Sequence, residues 1–448
     1  MDRNNLLLIG VDSLRADHMG CYGYHRLTTP HMDRLASNGT LFEEAFSPHI
    51  PTVPGYTSML TGTDVISNQA VSLAPKRPID ASIKLIPEIL GEAGYRSACV
   101  GFDDSFFRGF DEYRTYEMWT CWDDAPGRKA ENLNGEAIPL LESMAGEPFF
   151  LFLRHMDPHT PYLPPSPFGG LFYGRDPCDP KVDTMTSVLT RDSFSEFFKS
   201  WMPPGITDID WVVANYDSSL SYMDVCIRQL ITRLEELDLL QETLIAITSD
   251  HGETLTEHGI YFDHHGLYEP TIRVPLILHL PGKVPEGRRI KGTFLQQDLA
   301  PTLLDIMGLG GIPEVSAMDG RVMTPLLEGE VSGRPTEFYM TECTWMRKQG
   351  WRTPRYKLIQ SLEPDIYGLP DLELYDLETD PDERENIACQ KPEIVDSLRA
   401  KMERWKSNRL SESGNPDPIM HSRPSFLASG YRVRALVSTD LNNSAKEK

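Results

Sequence analysis

Three apolar segments of the sequence are followed by residues that bind metal ions or transfer protons. Asp12 follows the run LLLIGV, and Asp250 and His251 follow the run LIAITS. His159 lies just past the run FFLFL, at the end of the string RHMDPH. Taken singly, an Asp after a strand is more often a turn or helix cap. Taken together, carboxylate oxygens and imidazole nitrogens suit a divalent ion, so these residues form a candidate metal site.

A fourth segment, IPTVPGYTSMLTG, supplies a hydroxyl group in Thr52. Pro54 suits the first turn of a helix and Gly62 suits its end, so the sequence predicts a helix that begins beside Thr52. Taken alone, Thr52 is best interpreted as the cap of this helix. The N-terminal end of a helix also attracts anions, and a neighbouring metal ion activates a hydroxyl group for attack. Beside the carboxylates and histidines, Thr52 is therefore also a candidate nucleophile.

A shared edge of one sheet would bring these residues together. Five short runs are apolar at nearly every position, which is typical of strands buried on both faces of a parallel sheet. The runs are residues 6–11, 97–102, 149–153, 244–248 and 275–280. A helix is predicted from Ile209 to Leu239, where apolar residues recur at intervals of three and four. We therefore expect an α/β fold with a mostly parallel, mixed sheet sandwiched by helices, and a site beyond the carboxyl ends of its strands.

The sequence divides into a large domain, a small domain and a tail. We expect a catalytic domain over residues 1–335, which includes a surface excursion rich in Pro, Gly and aromatic residues over residues 158–204. Beyond it, short segments such as YKLIQSLE predict an antiparallel sheet, followed by a helix, in a small C-terminal α+β subdomain over residues 336–410. The last residues, 411–448, are polar and are predicted to form an arm or a tail.

Composition and charge disfavour several classes of partner. The 448 residues include 43 basic and 66 acidic side chains, a net charge of −23, so we expect neither a nucleic-acid nor a membrane partner. The seven cysteines show no CxxC or Cys/His metal spacing, which is typical of the reducing cytoplasm. The apolar run near the N-terminus is too short for a signal peptide or a membrane span. We therefore expect a cytoplasmic protein, and the sequence leaves homo-oligomer formation open.

Several motifs, in their order and spacing, resemble those of the sulfatase family within the alkaline phosphatase superfamily. They are LLLIGVDSLRADHMGCYGY, PTVPGYTSMLTG, DPHTPY, ITSDHGETLTEHG and LYEPTIRVPLI. The ending YKLIQ…LELYDLETDPDERENIA is similar to the C-terminal subdomain of that family, and the resemblance covers roughly residues 5 to 405. It implies an alkaline-phosphatase/sulfatase-like fold and an ester-bond hydrolase that acts on a small anionic ester.

The resemblance implies a metal site with a reduced set of ligands. Asp12 matches the first metal-binding Asp of the family, and Asp250 and His251 match a later pair. Thr52 falls at the position of the family's nucleophile, and Ser13 stands where many sulfatases have a second metal-binding Asp. We therefore expect a single divalent ion, Mn²⁺, Zn²⁺ or Ca²⁺, with Asp12, Thr52, Asp250 and His251 as its ligands.

The resemblance also identifies residues that contact the substrate. His159 matches a histidine that contacts the transferred group or the leaving group, and His264 stands where the family usually has a substrate-binding lysine. Adjacent histidines point in different directions, so we expect one of His264 and His265 to face the site and favour His264. Tyr56 replaces an arginine that helps to hold the modified nucleophile and the sulfate. We assign His159, His264 and Tyr56 to substrate binding, and the two histidines also to catalysis.

The threonine changes the chemistry that the resemblance implies. Ordinary sulfatases convert a Cys or Ser at this position to formylglycine, and threonine is not a known substrate for that conversion, so we expect no formylglycine. We therefore predict cleavage of a phosphate or phosphonate ester, diesters included, as in a phosphonate monoester hydrolase or a phosphodiesterase. Thr52 would attack phosphorus, and water activated by His159 or His264 would then hydrolyse the phosphothreonine.

Three other functions stay open at this point. Sulfate ester hydrolysis is the nearest alternative, because the chain resembles the sulfatases. A non-catalytic binding or scaffold protein is another, although such a protein would not need to keep the four residues Asp12, His159, Asp250 and His251. A phosphomutase is the third, although the sequence offers no convincing second set of metal ligands.

Overall fold

Five adjacent parallel strands form one side of the main sheet in a computed structural model, which describes residues 3–73, 75, 78–101, 107–118, 122, 128–191, 199, 201–329 and 336–424. In order across the sheet they are β7 (Thr243–Ser249), β1 (Asn5–Val11), β6 (Phe149–His155), β4 (Arg96–Gly101) and β5 (Glu112–Thr115). The first three of these are buried at every position, as their continuous apolar runs predicted.

Strands of mixed direction extend this sheet beyond β7. The strand β9 (Leu276–His279) pairs antiparallel with β7 and with β2 (Thr40–Phe46). β10 (Arg288–Leu295) lies parallel to β2. The short β8 (Arg273–Val274) pairs antiparallel with β2. The prediction of a mixed, mostly parallel sheet is confirmed. The direction of β9 was not predicted, because an apolar run shows that a strand is buried but not which way it runs.

Helices cover both faces of the main sheet, and each face has its own apolar core. On one face lie α1 (Pro30–Ser37), α5 (Lys129–Met144) and α7 (Ile209–Glu236). On the other face lie α2 (Thr52–Thr61), α4 (Ile86–Glu92) and α9 (Leu299–Ile306). The other described helices are α3 (Val65–Asn68), α6 (Thr186–Leu189), α8 (Glu269–Ile272), α10 (Pro313–Ser316), α11 (Thr324–Glu328), α12 (Pro392–Ser413) and α13 (Pro418–His421). The long helix predicted from Ile209 is α7.

A second, smaller sheet is built mainly from the C-terminal part of the chain. Its antiparallel strands are β11 (Phe338–Cys343), β12 (Arg347–Arg352), β13 (Tyr356–Ser361) and β14 (Leu372–Asp376). The two-residue strand β3 (His49–Ile50) joins it in parallel with β11, and apolar residues of α12 pack in the core of this region. Neither β12 nor β3 was predicted. Because β3 ends just before α2 begins, the small sheet fixes the start of the helix that carries Thr52.

One predicted boundary, at residue 335, and most of the predicted tail fall outside the described residues. Residues 330–335, which contain the expected end of the large domain, and residues 425–448 of the expected tail are not described. Among the residues that are described, no helix is both long and apolar enough to cross a membrane.

Candidate active site

The carboxyl ends of β1 and β7 place Asp12 and Asp250 side by side. The two strands are parallel and paired in register up to their last residues, so the next residue of each lies at the same edge of the sheet. His251 follows directly, and all three side chains are buried. The structure therefore brings together the three residues that the sequence placed after two separate strands.

The ligand atoms of these three residues converge. One atom from each lies within 4.8 Å of the others, and His251 Nε2 is 3.3 Å from Asp250 Oδ2 and 3.7 Å from Asp12 Oδ1. His251 Nδ1 donates to the carbonyl of Gly252 at 2.8 Å, so Nε2 of the neutral ring keeps its lone pair. Within the described part of the chain, Asp12 Oδ1 and Asp250 Oδ2 have no hydrogen-bond partner. Buried acceptors without a partner are costly unless a cation binds them, so this set fits a divalent metal ion.

Burial makes this site unfavourable for negative charge until a cation binds. Burial, reinforced by the neighbouring Asp250, raises the pKa of Asp12 to about 6. Burial raises the pKa of Asp250 to about 7, against the lowering effect of the His251 backbone N–H. Burial also lowers the pKa of His251, which keeps the imidazole neutral and able to bind a metal ion. A divalent ion would offset the cost of ionising both carboxylates.

Thr52 is the first residue of α2, and its hydroxyl group contacts the cluster of Asp12, Asp250 and His251. Thr52 Oγ1 lies 3.1 Å from His251 Nε2. The residue at the cap position is Pro51, so the hydroxyl of Thr52 is used in this contact and not as a cap. The helix comes close to the cluster because of Gly55, where a Cβ atom would lie only 2.5 Å from the carbonyl oxygen of Asp250. The structure therefore removes the main argument for the cap interpretation.

His159 and His264 lie beside this cluster. The ring of His264 stacks on that of His251 with centroids 4.5 Å apart, and it lies 5.6 Å from the ring of His159. Burial, reinforced by the imidazoles of His251, His159 and His265, lowers the pKa of His264 well below its usual value, and burial also lowers that of His159. Both rings are neutral near pH 7. An anionic ligand beside them would favour protonation, so either can accept a proton during a reaction.

The geometry distinguishes the two adjacent histidines. The His265 side chain points toward the small sheet, where Nδ1 contacts Glu342 and Nε2 lies 3.5 Å from Asp365. Burial opposes protonation, but these two carboxylates outweigh it and raise the pKa of His265 to about 9. His264, in contrast, stacks on His251. Of the two, His264 is therefore the side chain that lies against the cluster of Asp12, Asp250 and His251, and it is the one favoured from the sequence.

The predicted substrate contact of Tyr56 needs correction. Its side chain is fully buried in the core beneath α2, where its ring packs against Phe107 and Phe152. The guanidinium group of Arg154 lies over the same ring, with Cζ 4.5 Å from the ring centroid. A side chain enclosed in this way does not line a substrate site. Tyr56 instead supports the helical turn that carries Thr52.

Two buried cations near the site were not predicted. Arg154 lies near the end of β6, and Lys129 is the first residue of α5. Lys129 Nζ donates to the carbonyl of His159 at 2.8 Å and lies 3.2 Å from the carboxylate of Asp157. The string DPHTPY indicated that His159 and its loop are functional, but nothing in the sequence pairs that loop with a lysine 30 residues upstream.

Comparisons with known proteins agree with this architecture. A family model described as Sulfatase matches residues 4–309, and a model described as N-sulphoglucosamine sulphohydrolase, C-terminal, matches residues 256–408. N-acetylglucosamine-6-O-sulfatase of Bacteroides thetaiotaomicron is 25% identical over 92% of this chain and 88% of its own length. The multifunctional alkaline phosphatase superfamily protein PehA of Trinickia caryophylli is 25% identical over 95% of this chain and 99% of its own.

A solved structure shows the same fold. The phosphonate monoester hydrolase of Agrobacterium radiobacter superposes with a TM-score of 0.74 at 20% identity, covering 91% of this chain and 96% of that one. The family resemblance predicted from the motifs is confirmed. The Sulfatase model alone matches more than half of this chain, so the chain belongs to the sulfatase family of the alkaline phosphatase superfamily.

Proposed function

We propose that the protein is a metal-dependent hydrolase that uses Thr52 as its nucleophile to cleave small phosphate or phosphonate esters, diesters included. The observation that carries the proposal is the 3.1 Å contact between Thr52 Oγ1 and His251 Nε2, at the edge of the cluster formed with Asp12 and Asp250. The choice of phosphorus esters rests on the threonine at this position, and the fold shared with a phosphonate monoester hydrolase is compatible with that choice.

The first chemical step is attack by Thr52 Oγ1 on phosphorus. The bond from phosphorus to the leaving oxygen breaks as the bond to Oγ1 forms, and the proton lost by Thr52 is balanced by the proton that the leaving alcohol gains. His264, whose ring stacks on that of His251, and His159 beside it are the imidazoles assigned to carry this proton. A bound divalent ion would polarise the hydroxyl group and offset the charge of a non-bridging oxygen.

The second step is hydrolysis of the phosphothreonine. Unlike a formylglycine adduct, a threonine ester has no second hydroxyl group on the same carbon, so water must attack phosphorus. His159 or His264 takes a proton from that water, and Thr52 Oγ1 regains a proton as its bond to phosphorus breaks. The first N–H groups of a helix have no partner within the helix, so the start of α2 at Thr52 favours an anionic group beside it.

A sulfate ester is the second candidate substrate, because one of the relatives is an N-acetylglucosamine-6-O-sulfatase. The same two steps would then give a sulfated Thr52 and release sulfate. Phosphorus esters are favoured because Thr52 lacks the formylglycine exit that ordinary sulfatases use.

The remaining assignments are part of the same proposal. Mn²⁺, Zn²⁺ and Ca²⁺ all tolerate a mixed set of oxygen and nitrogen ligands, and one of them occupies the site.

Cytoplasmic localisation is supported by the spacing of the cysteines, and the lack of a nucleic-acid or membrane partner is supported by the net charge of −23. The catalytic domain ends near residue 335 and is followed by a subdomain over residues 336–410.

Replacement of Thr52 tests the nucleophile. Protein loaded with Mn²⁺, Zn²⁺ or Ca²⁺ would be assayed with aryl esters of four kinds: a phosphate diester, a phosphonate monoester, a phosphate monoester and a sulfate ester. Thr52→Val removes the hydroxyl group and keeps the shape, and it should lower kcat/KM at least about 1,000-fold. Thr57→Val is the matched control, because the Thr57 hydroxyl donates to the Val53 carbonyl within α2 at 2.6 Å. It should change kcat/KM less than about threefold.

The outcomes separate the candidate functions. Turnover by Thr52→Val at the rate of the wild type would exclude Thr52 as the nucleophile. A preference for the sulfate ester would replace the substrate assignment but not the nucleophile. If no ester were turned over with any of the three metals, a non-catalytic binding protein would be favoured.

A further inference from the structure

Arg154 is a permanently charged side chain buried beside the candidate site. It lies on β6 opposite Gly10 of β1, two residues before Asp12, and its side chain is only 4% exposed. Paired residues of neighbouring strands project to the same face of a sheet, and this is the face that α2 covers. Burying a guanidinium group is costly, so its place next to the site requires an explanation.

The guanidinium group stacks on aromatic rings beneath Thr52. Arg154 Cζ is 4.5 Å from the ring centroid of Tyr56 and 5.3 Å from that of Phe107. Tyr56 lies one helical turn after Thr52, and residues four apart are neighbours on one face of a helix. Gly10 makes room for the ring, because a Cβ atom there would lie 2.7 Å from Tyr56 Cε1. Arg154 and the strand at Gly10 therefore hold the Tyr56 ring from two sides.

Arg154 also contributes to the charge balance of the site. Asp12 and Asp250 bring two negative charges when ionised, and a phosphoryl ligand would bring at least one more. The Arg154 guanidinium group is buried over the ring of Tyr56, one helical turn from Thr52, which places its charge near these groups. Unlike the imidazoles of His159 and His251, it is charged at every working pH. In a poorly solvated interior such a charge acts over several ångströms.

We propose that Arg154 is a positioning residue for this site: it fixes the Tyr56 ring under Thr52 and supplies the permanent positive charge that favours an oxyanion there. The inference rests on the proposed function, because it assumes an anionic phosphoryl ligand beside Thr52. Arg154 acts through the ring and through its electric field, without touching the ligand. Its effect is on the affinity for anions and on kcat/KM, and not on the number of metal ions bound.

Inorganic vanadate, added to the Mn²⁺-loaded protein, measures anion binding without turnover. Arg154→Met removes the charge, whereas Arg154→Lys keeps it in a smaller group. We expect Arg154→Met to bind vanadate at least about 10-fold more weakly than the wild type, and Arg154→Lys to stay within about threefold. The kcat/KM for an aryl phosphate diester should follow the same order, while calorimetry should still show one Mn²⁺ per chain.

A second buried arginine provides the matched control. Arg352 Cζ lies 4.2 Å from the ring centroid of Phe46, and its guanidinium group pairs with Glu269. Arg352→Met and Arg154→Met should both lower the free energy of unfolding, but Arg352→Met should leave the affinity for vanadate unchanged. A loss of vanadate affinity in Arg352→Met equal to that in Arg154→Met would overturn the proposal, because the effect would then be a general one of core damage.

Two further results would also overturn the proposal for Arg154. One is vanadate binding by Arg154→Met at the affinity of the wild type, and the other is an equal loss of affinity in the Met and Lys variants. If Arg154→Met does not fold, Arg154→Lys decides alone: retained affinity supports the proposal, and a loss of about 10-fold or more contradicts it. Failure of the proposed function is separate, because it appears as turnover by Thr52→Val and not as a change in vanadate binding.

Discussion

At the scale of single residues, the site consists of groups that are unfavourable until a cation binds. Asp12 and Asp250 are buried, and each has a carboxylate oxygen that no described residue contacts by a hydrogen bond. His251 is held neutral by burial and presents Nε2 to both carboxylates. The metal-free protein should therefore be strained at this point, and the strain should depend on pH.

We expect Asp250→Asn to stabilise the metal-free protein at alkaline pH. The folded-state pKa of about 7 lies above the ordinary value of 3.8, so the folded state binds more protons and the stability of the wild type falls as the pH rises through this range. At about pH 8 the variant should be roughly 1–3 kcal/mol more stable than the wild type. Urea unfolding in EDTA at about pH 5 and about pH 8 measures the difference.

Added Mn²⁺ should reverse the order, because only the wild type keeps the full ligand set and gains free energy from binding. A variant no more stable than the wild type at alkaline pH, without metal, would show that burial of Asp250 is not costly.

Four residues of this site could be predicted from the sequence, because their positions next to strands and helix signals are informative. Asp12, Asp250 and His251 follow buried strands, and Thr52 begins a helix with a proline and a glycine at the expected places. Tyr56 was misassigned because its position in a motif does not show which way the side chain points. The cations Arg154 and Lys129 were missed because a buried charge is recognised by its tertiary partners, which are distant in sequence.

At the scale of elements, the start of α5 holds the loop that carries His159. Lys129 Nζ donates to the carbonyl of His159 and lies 3.2 Å from the carboxylate of Asp157, and both charged side chains are buried. The Asp157 carboxylate also accepts from the backbone N–H of Ala130 at 3.0 Å. The lysine therefore ties the first turn of α5 to the loop after β6.

We expect Lys129→Met to lower both stability and activity. The free energy of unfolding should fall by about 3 kcal/mol, because Asp157 is left buried without its cation. The kcat/KM should also fall, because the loop that presents His159 loses a hydrogen bond. Urea unfolding and steady-state kinetics measure the two effects. Lys84→Met is the control: Lys84 pairs with Glu92 and Glu314 near the surface, so its replacement should lower the free energy of unfolding far less than that of Lys129.

A double variant separates the two roles of this lysine. Lys129→Met/Asp157→Asn removes the unpaired buried charge and should recover part of the stability but little of the activity. Full recovery of kcat/KM together with stability would show that Lys129 affects catalysis through folding alone.

The elements themselves were predicted unevenly, for physical reasons. Buried strands and the long helix α7 have strong periodicity, and the structure has them at the expected places. β12 was not predicted because its sequence, RKQGWR, is largely polar and contains a glycine. β3 was not predicted because a strand of two residues has no period, and its pairing with β11 depends on distant residues.

At the scale of the whole molecule, the small sheet reaches the site at two points. β3 lies directly before α2, and Glu342 of β11 contacts His265, the neighbour of His264. Lys348 of β12 extends this buried network, because its Nζ lies 2.6 Å from Asp365. The C-terminal part of the chain therefore helps to hold both the helix that begins at Thr52 and the segment that carries His264.

We expect the His265 network to weaken at alkaline pH. Burial opposes protonation, but Glu342 and Asp365 raise the folded-state pKa to about 9, above the ordinary value of 6.5. The stabilisation is therefore complete below about pH 6.5 and is lost as the pH rises through about 9. His265→Gln should cost about 3 kcal/mol near pH 6 and much less near pH 10.

Urea unfolding across this range measures the effect, and His279→Gln is the control. Burial lowers the pKa of His279, so its replacement should not show the same loss at alkaline pH. A cost for His265→Gln that is independent of pH would contradict the charged state of His265.

The central claim is that Thr52 forms a covalent intermediate, and mass spectrometry of the protein quenched during turnover tests it most directly. With Mn²⁺ and an aryl phosphate diester or phosphonate monoester, the peptide that contains Thr52 should carry the phosphoryl or phosphonyl group, and the adduct should disappear once substrate is exhausted. The corresponding peptide of Thr52→Val should stay unmodified. Sustained turnover with no adduct on Thr52, or with the group on another residue, would contradict the account.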